Sequence, residues 1–103
     1  GAVQQRRKFA FAGIVTVALA IDDRGVIVAD PEVETTGIPE LSAEGENIAE
    51  LALDAAEQVF NSLPKGKRRD ARAVQESVRR AVRAAIDDVW DKKPLCQVFV
   101  LEV

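Results

Sequence analysis

Between Phe9 and Ile21 the apolar residues alternate with a period of two. Phe9, Phe11, Val15, Val17, Leu19 and Ile21 fall on one face, and Ala10, Ala12, Ile14, Thr16, Ala18 and Ala20 on the other. A period of two is that of a β-strand, here with one large and one small apolar face. Gly13 stands in the large face and marks a bulge or a close backbone approach. Asp22-Asp23-Arg24-Gly25 then predicts a hairpin turn, with the glycine supplying a positive φ. The return strand is expected over 26–36, with Pro31 marking a bulge or an edge position.

After the bend at Gly37-Ile38-Pro39 the spacing becomes helical. Ile48, Leu51, Ala52, Ala55, Val59, Phe60 and Leu63 share one helix face. Ser42 is the expected N-cap, with Glu44 and Glu46 near the positive end of the dipole. Pro64, Lys65 and Gly66 are expected to end this helix. Asp70 caps a second one, whose inner face is Val74, Val78, Ala81, Val82, Ala85, Ile86 and Val89, and which Pro94 stops. The segment 95–103 alternates again, with Leu95, Gln97, Phe99, Leu101 and Val103 opposite Cys96, Val98, Val100 and Glu102.

The order is therefore β-β-α-α-β. A lone strand leaves its backbone unpaired, so the last one has to join the first two. The expected fold is α+β, a three-stranded sheet covered on one face by two helices. Two helices cover only one face. The face carrying Ala10, Ala12, Ile14, Thr16, Ala18 and Ala20, with Val98 and Val100 beside it, is left apolar. An uncovered patch of that kind is abnormal for a monomer and is the candidate oligomer interface.

Composition sharpens this reading. Of the 103 residues 16 are Ala and 14 are Val, while the large anchors are four Phe and one Trp. Small side chains make each buried position worth less, so a partner surface is expected to add to modest stability. No His is present and Cys96 is the one cysteine. Imidazole chemistry, His metal clusters, disulfides and paired-cysteine sites are thereby excluded from this chain. With no Met either, it reads as a piece of a longer protein. The longest apolar run, 9–21, is too short to span a bilayer, so the expected setting is cytoplasmic, without a membrane partner.

The formal charge of −3 hides a segregation. No Lys or Arg occurs between Gly25 and Pro64, where nine carboxylates stand. From Lys65 to Arg83 eight cations face only Asp70 and Glu76. Acidic and basic elements attract one another within a domain or across an oligomer. The other reading sends the basic segment to phosphate. Arg72, Arg79, Arg80 and Arg83, on the outer face of the second helix, are the candidate RNA or ion-pair contacts. Cys96 and Trp90 are expected to serve as packing residues.

Several of these stretches resemble one known family. Arg6-Arg7-Lys8-Phe9-Ala10-Phe11-Ala12-Gly13-Ile14-Val15-Thr16-Val17 is similar to the opening of the C-terminal domain of bacterial ribonuclease J. Asp30-Pro31-Glu32-Val33-Glu34-Thr35-Thr36-Gly37-Ile38 resembles that domain's second strand. Arg79-Arg80-Ala81-Val82-Arg83 and Trp90-Asp91-Lys92-Lys93-Pro94-Leu95-Cys96 resemble its closing helix and strand, alphaproteobacterial members above all. The resemblance covers nearly the whole chain, with residues 1–7 as a linker remnant and 8–103 as the domain.

The resemblance implies a parent with a metallo-β-lactamase core, an inserted β-CASP domain and two catalytic metals, usually zinc. That parent would be a 5′-to-3′ exoribonuclease and endoribonuclease acting in RNA processing and degradation. Its HxHxDH-type ligands match nothing here, so no catalytic or metal residue is carried over. The chain by itself is expected to hold no cofactor and catalyse nothing. For this region the resemblance implies assembly, as a homodimer or higher oligomer, beside the catalytic part of the parent.

Overall fold

A computed structural model describes residues 12–103. Phe9, Ala10, Phe11 and residues 1–7, the expected linker remnant, lie outside the described residues. The elements are β1 (Ile14–Ile21), β2 (Ile27–Thr36), α1 (Ile48–Ser62), a single turn α2 (Lys65–Arg68), α3 (Ala71–Val89) and β3 (Leu95–Glu102). The sheet order is β2-β1-β3, with β1 central. β2 runs antiparallel to β1 and β3 runs parallel to it. That follows from the connections: the hairpin returns the chain to the start of β1, and a helix pair brings it back there. The fold is the expected α+β arrangement.

The alternation in β1 decides which face the helices cover. Val15 and Val17 are fully buried and Leu19 and Ile21 nearly so. They meet Ile48, Ala52, Ala56 and Phe60 of α1 and Val74, Val78, Val82 and Ile86 of α3, which recur at i,i+4. Ala56 replaces Ala55 of the expected inner face, as the i,i+4 row runs through Ala52 and Phe60. Valine is a weak helix former, but burying each valine side chain of α3 is worth about 1.5 kcal/mol or more, which outweighs that preference. Trp90 and Cys96 pack against this core as expected.

Gly13 is a close approach. A Cβ there would stand 2.7 Å from Ile38 Cγ1 and 2.8 Å from the Thr36 carbonyl oxygen. The β1–β2 register shifts on either side of Ala20, beside Pro31 on the edge strand, where the missing N–H costs no ladder bond. In the hairpin turn Gly25 has φ +76°, and the Asp22 carboxylate accepts from the N–H groups of Arg24 and Val26 at 2.9 and 3.0 Å.

Two local expectations are corrected. Ser42 does not cap α1. Its Oγ accepts from the Glu46 N–H at 3.1 Å in a separate turn closed by Gly45 at φ +84°, and Asn47 caps the helix through the Glu50 N–H at 3.0 Å. A left-handed glycine at 45 cannot continue a helix started at 42, so the start moves to the next Asx residue. Lys65 and Gly66, expected to terminate α1, instead begin α2, because Leu63 and Pro64 have already broken the helix.

Asp70 caps α3 as predicted, accepting from the N–H groups of Arg72 and Ala73 at 3.0 and 3.3 Å. Asp70→Ala is expected to lower stability by about 1 kcal/mol. Urea unfolding followed by circular dichroism reads it. A midpoint equal to that of the wild-type chain would remove the cap from the account.

Candidate functional site: an open sheet face and a cationic groove

The face of the sheet away from the helices carries Ile14, Thr16, Ala18 and Ala20 of β1. The parallel register sets Leu95, Gln97, Phe99 and Leu101 beside them in the same order. On the other flank stand Thr36, Glu34, Glu32 and Ala29 of β2. Phe99 is 55% exposed, Leu101 60% and Ile14 38%. The face is therefore apolar along β1 and β3 and acidic along β2.

The structure overturns one part of the sequence-based assignment. Val98 and Val100 do not stand on the open face. Val98 pairs with Val17 and is buried, and Val100 pairs with Leu19 and packs against the core. In a parallel ladder, residues in register point to the same side, so partners of the inward residues of β1 point inward too. Phe99 and Leu101 are the residues that sequence reasoning missed. Both faces of 95–103 are apolar, which hid the choice; the polar Gln97 among Leu95, Phe99 and Leu101 was the available signal. Ala12 lies just before β1, exposed, its N–H donating to the Lys93 carbonyl at 3.1 Å.

The second feature is on α3. Arg79, Arg80, Arg83, Ala84 and Asp87 line an open groove of about 420 Å³ with Lys93 and Pro94 from the loop that enters β3. Glu76 organises one side of it. Its carboxylate accepts from Arg79 Nη2 at 2.7 Å and Nε at 3.2 Å, and from Arg80 Nε at 3.1 Å. These bonds, with that to Arg79 first, hold the Glu76 carboxyl below its ordinary pKa and raise that of Arg79. Arg83 and Asp87, also spaced i,i+4, make no ion pair within 4 Å among the described residues. Burial pushes the Cys96 thiol up, against the opposing charges of Arg83 and Arg79.

Arg72 stands outside this group. It lies in the first turn of α3, about 10 Å along the axis from Arg79. Lys93 is the member that sequence reasoning did not select, because it lies beyond the helix, in the loop that enters β3.

No ion pair joins the acidic stretch 25–64 to the basic stretch 65–83 among the described residues. Attraction within the domain therefore does not explain the segregation through direct contacts. The fold instead separates the two: α1 packs on β2, and α3 packs on β3. One flank of the domain is acidic and the other basic.

A family model of the Ribonuclease J C-terminal domain matches residues 1–103. The chain belongs to the ribonuclease J C-terminal domain family. It is 42% identical over 101 residues to the Ribonuclease J of Sinorhizobium meliloti, an alphaproteobacterium. The match covers 98% of this chain but 18% of that relative. This ribonuclease J C-terminal domain has no histidine, and its described residues contain no cluster of three His, Cys, Asp or Glu side chains that could hold a metal ion. The metals implied for the parent do not fit here. No helix among the described residues is long and apolar enough to cross a membrane.

The electrostatics of the two bonded carboxylates give a pH prediction. Hydrogen bonds, that from the Val26 N–H first, hold Asp22 below its ordinary value of 3.8, and Glu76 lies below 4.5. A carboxyl whose pKa is depressed by folding binds protons more readily in the unfolded chain. Its stabilisation is present above the unfolded pKa and fades as pH falls through the folded one. Thermal stability is therefore expected to be flat from about pH 6 to 7, where no imidazole titrates, and to fall below about pH 4.5. Differential scanning fluorimetry with Asp22→Asn and Glu76→Gln together checks this. An unaltered acid branch would assign the loss to other carboxylates.

Proposed function

We propose that this domain is a non-catalytic assembly module, holding copies of a ribonuclease together by packing its open sheet face on that of a second copy. The exposure of Phe99 and Leu101 beside Ile14, on a sheet face that no element among the described residues covers, carries this reading. Small Ala18 and Ala20 let an opposing backbone approach, and the two large side chains of β3 supply the buried area. The acidic β2 flank restricts the geometry. A contact centred on β1 would set Glu32 and Glu34 against their symmetry mates when like strands oppose, so the contact centres on β3.

The parent in this reading is a cytoplasmic, metal-dependent 5′-to-3′ exoribonuclease and endoribonuclease, a hydrolase of RNA processing and degradation. Its two metals, zinc, are held by histidines outside this chain. Light scattering coupled to gel filtration over a concentration series is the test. A single monomeric mass up to on the order of 100 µM, where a contact of about 5.5 kcal/mol is half formed, would refute autonomous assembly.

The surface charge supports a second reading, contact with RNA through the basic segment 65–83. The structure narrows its support. Arg68 turns inward, donating from Nη2 to the Asn61 carbonyl and lying 5.7 Å over the Phe60 ring. The remaining cations are spread over α2 and α3, and only Arg79, Arg80 and Arg83 of the segment line one groove.

A further inference from the structure

We infer that the groove between α3 and the 91–94 loop is a binding site for the phosphodiester backbone of single-stranded RNA, with Arg83 and Lys93 as its principal contacts. The inference goes beyond the assembly reading and rests on it only for the RNA-handling nature of the parent. Four cations, Arg79, Arg80, Arg83 and Lys93, line it with a single carboxylate, Asp87, and only Arg79 and Arg80 are paired, both to Glu76 beside it. Glu76 takes Nε and Nη2 of Arg79 and Nε of Arg80, which leaves terminal guanidinium nitrogens of both without a partner. Arg83 has no carboxylate within 4 Å among the described residues. A guanidinium presents a planar fork that matches phosphate oxygens, and an ammonium adds a point charge.

The site is also held in place. Lys93 is fixed through its own carbonyl, which accepts from the Ala12 N–H at 3.1 Å. On its far side Pro94 is buried, and the Leu95 N–H donates to the Gly13 carbonyl at 2.8 Å. Arg79 is oriented by two bonds to one carboxylate. The backbone at Lys93 and the side chain of Arg79 are thus set before a ligand arrives, which reduces the ordering cost of binding. Among the described residues the lining offers Ala84 and Pro94 but no aromatic ring on which a base could stack. Recognition is therefore of the backbone, insensitive to sequence and strongly dependent on salt.

The unpaired acidic flank of a second copy is the competing occupant, and the test separates the two. Fluorescence anisotropy of a labelled oligouridylate is measured against the full 103-residue chain over a salt series. Poly-glutamate of matched charge serves as the carboxylate competitor. Arg83→Gln and Lys93→Gln are each expected to weaken binding severalfold and to reduce the slope of log K against log salt by about 0.7. Lys67→Gln, an exposed cation on α2 outside the groove, is expected to leave that slope within error.

An equal loss with Lys67→Gln would overturn the groove in favour of the diffuse basic segment. Displacement by poly-glutamate at the same concentration as by unlabelled RNA would overturn the RNA assignment in favour of an acidic protein surface. Absence of RNA binding at low salt would overturn the inference outright. Light scattering on the same samples reports on assembly separately.

Discussion

Phe99→Lys and Ala18→Lys are each expected to reduce the chain to a monomer while leaving its fold intact. Ala18 is central on the open face, between Glu32 of β2 and Phe99 of β3 in the ladder. Phe99 is more than half exposed, so its side chain contributes little to the core of a single copy. At an interface the balance reverses. Removing a buried Phe forfeits about 2 kcal/mol, and an ammonium held there without a partner costs several more. A dissociation constant raised at least a hundredfold, about 2.8 kcal/mol, is the expected result. Sedimentation velocity reads the mass and far-ultraviolet circular dichroism reads the fold. An unchanged oligomer in both variants would place the contact elsewhere.

Gly25→Ala is expected to be the most damaging single-methyl change. The residue has φ +76°, a region that costs a side chain about 1–2 kcal/mol. The added Cβ would also lie 2.8 Å from the carbonyl carbon of Arg68 and 2.9 Å from its Cβ and carbonyl oxygen. Backbone cannot swing aside as a side chain can, so overpacking adds about 1–3 kcal/mol. The total, about 2–5 kcal/mol, corresponds to a Tm lower by roughly 10–40 °C for a domain of this size. Gly45→Ala is the matched comparison, because Gly45 has φ +84° but open space around it. It isolates the backbone term. Equal losses in the two variants would show that the turn does not press on α2.

Arg68 Nε is buried without a partner, while its Nη2 bonds to the Asn61 carbonyl. The hairpin turn thus presses on the backbone and Cβ of a residue whose guanidinium α1 holds. Nothing in the spacing of 65–70 distinguishes Arg68 from its exposed neighbours Lys67 and Arg69. The inward turn of one cation out of the run is a tertiary outcome.

The helix faces were legible because their signal is redundant. In α3 the four buried residues all lie in the predicted row, since Val74, Val78, Val82 and Ile86 repeat the same spacing. The N-cap of α1 was less legible. Ser42 and Asn47 are both good caps, and only the left-handed Gly45 between them decides which starts the helix. The cationic groove was half legible. Arg79, Arg80 and Arg83 share a helix face by periodicity, whereas Lys93 joins them because the chain turns back at Pro94.

By itself the sequence determined the three strands and two long helices, their order, the α+β class and the presence of a sheet face that two helices cannot cover. Periodicity carries that information residue by residue, and a 2-residue or 3.6-residue repeat needs no knowledge of the partner element. Tertiary structure decided which residues occupy that face. In β3 both sides are apolar, so hydrophobicity has no preference, and the choice falls to the parallel register with β1. That register buries Val98 beside Val17 and turns Phe99 and Leu101 outward. A one-residue slip would exchange the two sets, because successive side chains of a strand point to opposite faces.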